Sequence, residues 1–220
     1  MASLAARCEQ GGFDDARERM VRSQIVARGV EDTATLRAMR VVPRHEFVPP
    51  QWRADAYGDF PLPISHGQTI SQPYIVALMT ELVHPRKGQR LLEVGTGSGY
   101  QAAVLSKIVD TVYTIEIVPE LATTASECLR RLGYGNVVVR QGDGYKGWEE
   151  QAPFDAILVT ASADEIPQPL IDQLKVGGVM VIPVGPSGTI QELTLVTKQE
   201  NNVLERVLLP VRFVPLVHPR

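Results

Sequence analysis

From residue 90 to residue 184, five short apolar runs alternate with helical patterns, and this alternation leaves the chain few architectures to adopt. The runs cover residues 90–94, 112–116, 137–141, 156–160 and 179–184, with helices expected over 101–108, 119–132 and 169–175. Strands separated by helices join through right-handed crossovers into a parallel sheet covered on both faces. Such strands are apolar on both sides, as "AILVT" is. The tail "QELTLVTKQENNVLERVLLPVRFVPL" differs: two β-rich runs flank "ENN", which predicts a hairpin and antiparallel strands at the sheet's end. Amphipathic helices are expected at 14–28 and 32–41, the second capped by Asp32 and ending before Pro43. The stretch that follows mixes proline with Phe47, Trp52, Tyr57 and Phe60, the mark of a packed irregular segment, and a helix with a buried face is expected over 74–83. The fold class is therefore doubly wound α/β, with a helical lead-in and an antiparallel end. Residues 14–220 are read as one domain, preceded by a disordered extension at 1–13.

At 220 residues, 44 % hydrophobic and 21 % charged, the chain can bury one sizeable core. Lys and Arg total 22 against 25 Asp and Glu, so no net field draws it to nucleic acid or to an anionic membrane. The first twenty residues lack the apolar run of a signal peptide, and no stretch reaches the roughly 18 apolar residues of a membrane span. A cytoplasmic monomer is expected. Cys8 and Cys128 are too far apart in sequence for a C-x-x-C redox or zinc motif.

The first of the five strands runs into glycines at alternate positions, "LLEVGTGSGY". In an open α/β sheet, ligands sit beyond the carboxyl ends of the strands where strand order reverses, and glycines there remove the Cβ atoms that would block the crevice. The spacing Gly95-x-Gly97-x-Gly99, followed by Tyr100, departs from the dinucleotide fingerprint G-x-G-x-x-G. Glu93 just before the loop would repel a pyrophosphate and pair with an ammonium or sulfonium group. Glu116 ends the second strand, where a carboxylate can accept both hydroxyls of a ribose, although it can also be a solvated strand-end charge. Asp143 in "QGDGY" follows the third strand and can accept an adenine amino group or simply make a turn. Together these residues point to S-adenosylmethionine.

The acceptor is constrained by what is missing after the fourth strand. Thr160, Ala161, Ser162 and Ala163 replace the D/N-P-P-Y/F pattern of methyltransferases that act on base amines, and no carboxylate cluster for magnesium stands beside them. His45, His66, His84 and His218 are scattered rather than spaced for a metal.

The segments "LPISHGQTISQPYIVALMTELV", "LLEVGTGSGYQAAVL", "GDGYKGWEEQAPFDAILVTASADEIPQPLIDQLKVGGVMVIPVG" and "VRFVPLV" together resemble the protein-L-isoaspartate (D-aspartate) O-methyltransferase family, over roughly residues 14–217. The most specific element is "GQTISQPY". The resemblance implies a Rossmann-like class I methyltransferase fold and an enzyme that esterifies the free carboxylate of isoaspartyl residues in damaged proteins and peptides, using S-adenosylmethionine and no metal. It implies Ser71 as the active-site serine, Thr69, Ile70 and Val214 on the substrate side, and Gln72 near the cofactor. It also assigns Glu93, Gly95, Gly97 and Gly99 to the first cofactor motif, Glu116 to the ribose, and Gly142 with Asp143 to the adenine end. In the family the "VPL" segment folds back over the site. "SHG" is a local departure that leaves His66 without a role. Ser71 can alternatively be the N-cap of the helix that starts near Pro73. A small-acid O-methyltransferase, a dehydrogenase and a non-catalytic binding module are the competing readings.

Overall fold

The structure, a computed structural model, describes residues 4–218. Helix α1 (Leu4–Met20) continues through a π turn (Val21–Ile25) and a 3-10 turn (Val26–Arg28) and stops at Gly29, whose φ of +89° no helix can continue. The helix expected at 14–28 is thus the last part of a longer one, and the expectation for residues 1–13 falls partly outside the described residues. Helix α2 (Thr33–Val41) is capped as predicted, the Asp32 carboxylate accepting the Thr35 N–H at 2.6 Å. The same turn is tied to helix α3 (Pro73–Leu82), because Glu81 Oε1 accepts the N–H groups of Glu31 and Asp32 at 2.7 and 2.6 Å.

The proline-rich stretch between α2 and α3 packs through Phe47 and Tyr57, which are buried, whereas Phe60 is exposed. It also holds a small antiparallel pair, β1 (Leu62–Pro63) and β2 (Thr69–Ile70), that two-residue strands beside prolines do not announce. His66 and Gly67, both at positive φ, make the turn between them. "SHG" is therefore a reversal of the chain.

Seven strands form the main sheet: β3 (Arg90–Val94), β4 (Thr111–Glu116), β5 (Val137–Gln141), β6 (Phe154–Val159), β7 (Leu174–Val184), β8 (Gln191–Lys198) and β9 (Val203–Val211). Their order is β5-β4-β3-β6-β7-β8-β9, parallel from β5 to β7 and antiparallel from β7 to β9. The expected strands are all present. β7 starts five residues before the predicted 179, because Gly177 (φ +80°) and a register shift beside Phe154 disguise its first half as a turn.

Helices α4 (Tyr100–Ser106), α5 (Pro119–Arg131) and α6 (Gln168–Gln173) make the crossovers. Leu91, Val112, Leu158 and Val181 pack with Met79 and Leu105 on one face, while Leu92, Ile115, Ile157 and Met180 pack with Leu170 on the other. This two-sided burial is the physical source of the uninterrupted apolar strands. The lead-in buries its own cluster of Met39, Phe47, Tyr57, Tyr100 and Leu129. Strand order reverses between β3 and β6, which places a crevice above Val94 and Val159. Among the described residues, no helix is long and apolar enough to cross a membrane.

Candidate active site

The loop after β3 is pinned from three sides. Gly95 and Thr96 donate their N–H groups to Ile115 O at 2.8 and 3.1 Å, and Gly97 donates to Glu116 Oε2 at 2.8 Å. Across the switch point, the Thr160 hydroxyl lies 2.6 Å from Gly95 O and 3.0 Å from Val94 O. Gly95 holds φ +99°, and a Cβ on it would fall 2.6 Å from Thr160 Oγ1. Only glycine lets the two strand ends close in this way.

Glu116 is fixed by a second donor, the Val118 N–H on its Oε1 at 3.0 Å. Two backbone bonds leave part of its accepting capacity free, since a carboxylate has about four lone-pair sites. Glu93 is fully buried. Its Oε2 accepts the Thr114 hydroxyl at 2.5 Å, and the Thr114 oxygen lies 2.7 Å from Thr96 Oγ1. A hydroxyl has one proton, so Thr114 donates to Glu93 and accepts from Thr96, forming a relay from the carboxylate to the glycine loop. Among the described residues, Glu93 Oε1 has no hydrogen-bond partner. Burial pushes the carboxyl pKa up to about 8, with the Glu116 charge acting the same way and the Thr114 hydroxyl and the Ala102 N–H opposing.

These groups line a cavity of about 750 Å³, counted to its mouth. The chain after β9 crosses it as a strap. Ser162 N–H donates to Val214 O at 2.8 Å, Leu216 N–H donates to Ser162 O at 2.7 Å, and the Tyr145 hydroxyl donates to Leu216 O at 3.3 Å. A second, more open cavity of about 1410 Å³ adjoins the first. Thr69, Ser71, Thr160 and Val214 line both, so they form the wall through which the two communicate.

The predicted site residues divide accordingly. Glu93, Gly95, Gly97, Glu116, Thr69, Ile70, Ser71 and Val214 all line the first cavity. Ile70 borders that cavity and not the outer one on whose side it was expected. Gln72 lines only the outer cavity and donates its amide to Asp59 Oδ1 at 2.9 Å. Gly99 faces α5, where a Cβ would meet Leu129 Cδ1 at 3.2 Å. Gly142 and Asp143 stand beside the lining rather than in it, and Asp143 caps the turn Gly144–Lys146 by accepting the Tyr145 N–H at 3.0 Å. The N-cap reading of Ser71 is corrected: Gln72 occupies the N-cap of α3, and no side chain caps it.

Three of the lining residues outside the expected set show why they were missed. Gly144 comes so close to Val94 that an added Cβ would lie 2.5 Å from Val94 Cγ1, and the second glycine of "GDGY" was its only trace. Thr160 was signalled only as the polar end of "AILVT". Arg28, in the outer cavity, had no signal because it comes from the distant lead-in. Among the described residues, no group of three or more His, Cys, Asp or Glu is placed to hold a metal ion.

Known proteins resemble this chain in sequence and fold over almost its whole length. The family described as protein-L-isoaspartate(D-aspartate) O-methyltransferase matches residues 15–220. A protein-L-isoaspartate O-methyltransferase of Opitutus terrae is 56 % identical over 204 residues, covering 93 % of this chain and 88 % of its own. One from Gloeobacter violaceus is 55 % identical over 201 residues, covering 91 % and 98 %. A solved protein-L-isoaspartate O-methyltransferase superposes with a TM-score of 0.83 at 32 % identity, covering 92 % of this chain and 66 % of that longer one. The beta-aspartate methyltransferase of Plasmodium falciparum, solved in complex with S-adenosyl-L-homocysteine, gives 0.77 at 29 % identity and covers 93 % and 98 %. On this agreement of sequence and fold, the chain belongs to the protein-L-isoaspartate(D-aspartate) O-methyltransferase family.

Proposed function

We infer that the protein transfers a methyl group from S-adenosylmethionine to the free carboxylate of L-isoaspartyl and D-aspartyl residues in damaged proteins and peptides, and so starts their repair through a succinimide. The observation that carries this reading is the shared wall. A cavity lined by Glu93, which carries an unpartnered carboxylate oxygen, shares Thr69, Ser71, Thr160 and Val214 with a larger and more open groove. S-adenosylmethionine supplies a methyl group activated on a positively charged sulfur. The residues present fit such a donor: Glu93 Oε1 lacks a partner that a cationic group would provide, and Gly97 leaves room in the cavity wall, where an added Cβ would meet only Ile64 Cδ1 at 3.7 Å.

In this reading Glu93 binds the donor's ammonium or sulfonium charge, and Glu116 accepts from ribose hydroxyls with its remaining lone pairs. Gly95 and Gly97 let the backbone approach, while Gly142 and Asp143 shape the adenine end. On the other side of the wall, Ser71 donates its hydroxyl to the acceptor carboxylate and orients it, with Thr69 and Val214 beside it. An aspartyl-type carboxyl has a pKa near ~3.9 and is already ionised at neutral pH, so no general base is required. Carboxylate and sulfonium neutralise each other during transfer, and the strap at 214–217 favours that step by keeping water out. The ester then loses methanol when the neighbouring backbone nitrogen attacks.

Acceptors of varied sequence call for main-chain recognition, and we place an extended peptide along the chain leaving the open edge strand β9. The chain acts as a cytoplasmic monomer, which sedimentation at assay concentration tests. The decisive experiment supplies labelled methyl donor with an isoaspartyl peptide, its aspartyl twin and small free acids. Base-labile methanol release from the isoaspartyl peptide alone is expected. Equal release from the small acids would transfer the assignment to a small-acid enzyme.

A further inference from the structure

The groove in front of Ser71 carries a charge of one sign. Among the described residues, Arg28 and Arg212 are the charged side chains that line it, one from the end of the lead-in and one from the start of the strap, and no acidic or lysine side chain joins them. Arg28 is held in place, its guanidinium carbon 3.5 Å above the Tyr74 ring centroid and its Nη1 2.9 Å from Asp59 Oδ2. Asp59 neutralises part of that charge but does not line the groove. Arg212 is exposed and forms no ion pair with a described residue, while the backbone after it is anchored by the Phe213 N–H on Gln191 Oε1 at 2.9 Å. The rest of the wall is apolar or neutral, with Ile75, Leu209, Pro210 and Phe213 prominent.

We propose that Arg28 and Arg212 make this groove select isoaspartyl sites with acidic neighbours over sites with basic neighbours. The proposal rests on the methyl-acceptor reading above. An extended peptide advances about 3.3 Å per residue, so the residues within two or three positions of the acceptor pass along the walls that hold the two guanidiniums. A carboxylate there is attracted and an ammonium repelled, in a shallow groove where water and salt reduce but do not abolish the effect. The protein's own net charge of −3 works against acidic partners, so the selection is local to the groove.

The test is a panel of isoaspartyl peptides identical except for Glu, Gln or Lys at the two flanking positions on either side. With the wild-type protein, kcat/KM for the Glu peptide should exceed that for the Lys peptide about tenfold at low ionic strength, and the ratio should fall towards one as salt is raised. Arg212→Glu should reverse the order, with Arg28→Gln reducing the ratio by a smaller factor. A ratio near one, a ratio insensitive to salt, or the same ratio in Arg212→Glu would overturn the proposal. An equal loss on all three peptides in Arg212→Gln would overturn it too, by assigning Arg212 to the acceptor carboxylate itself. If no peptide is methylated, the functional reading fails instead. Anisotropy of the labelled peptides bound to the same protein would still report the charge preference, and equal affinities for the Glu and Lys peptides would overturn it.

Discussion

Replacing Glu93 with Gln should make the ligand-free protein less stable at pH 5 and more stable at pH 8. The wild-type carboxyl has a pKa pushed up to about 8 in the folded chain against an ordinary value of 4.5. Because the folded value is the higher one, the folded chain holds the proton more tightly. Below pH 4.5 the group is protonated in both states and costs nothing. Between 4.5 and 8 the unfolded chain ionises freely while the folded chain does not, so stability falls by about 1.4 kcal/mol per pH unit and the loss levels off near ~5 kcal/mol above pH 8. Gln does not titrate, and its carbonyl can still accept the Thr114 hydroxyl, but its amide adds a buried donor costing about 1–3 kcal/mol. At pH 5, where the wild-type penalty is under about 1 kcal/mol, that cost dominates and wild type melts higher. At pH 8, where the wild-type penalty is about 4 kcal/mol, the variant gains roughly 1–3 kcal/mol, or about 2–12 °C for a chain of this size. Melting curves of both proteins from pH 5 to 8.5, without methyl donor, decide the matter. Curves that run parallel across this range would refute the buried, proton-holding carboxyl. The same substitution should weaken S-adenosylhomocysteine binding at pH 8, since the group lost is the one expected to meet the ligand's positive charge.

Ser71→Ala should lower kcat on an isoaspartyl peptide by roughly ten- to a hundredfold and leave the melting temperature within about 2 °C, because in the proposed reading the hydroxyl orients the acceptor, and it caps no helix. Unchanged turnover in a steady-state assay would remove Ser71 from the reaction. Thr160→Val keeps the shape but drops the hydroxyl that joins Val94 and Gly95 across the switch point, and should reduce kcat more than it raises KM, with Thr160→Ser restoring activity. Gly144→Ala drives a methyl against Val94 and Leu216, so a stability loss of about 1–3 kcal/mol in urea unfolding and weaker calorimetric binding of S-adenosylhomocysteine are expected.

The fold was legible wherever local chemistry and tertiary environment agree. Strands β3, β4 and β6 are apolar on both faces because both faces are covered, and Asp32 announces α2 because its carboxylate meets the Thr35 N–H only three residues away. Legibility fails where a long-range contact overrides local pattern. The first half of β7 carries Gly177 and a register shift, which read as a turn, yet pairing with β6 holds it extended. The turn at His66 was obscure because a non-glycine residue at φ +57° is uncommon and depends on the β1–β2 pair around it.

The site divides along the same line, and the division accounts for its chemistry. Gly95, Gly97, Glu93 and Glu116 could be found because each sits at a strand end, where topology fixes its neighbourhood. The residues that give those groups their properties could not. Thr114 lies in the middle of β4 and reads as an ordinary strand residue, yet its hydroxyl is the hydrogen bond that Glu93 receives from another side chain. Its oxygen in turn accepts from Thr96, so the buried acid and the glycine loop are oriented by one relay. That relay needs β3 and β4 in register, Glu93 opposite Thr114, a pairing set by the whole sheet rather than by either segment. Glu93 is thus recognisable as an acid at a strand end, whereas its raised pKa and its free oxygen follow only from three strands and a loop closing around it. A group left in that state has an unmet interaction of a definite kind, and a ligand that brought positive charge to Oε1 would both meet it and lower the pKa, so that in the proposed reading a buried cost to stability becomes selectivity for a cationic methyl donor.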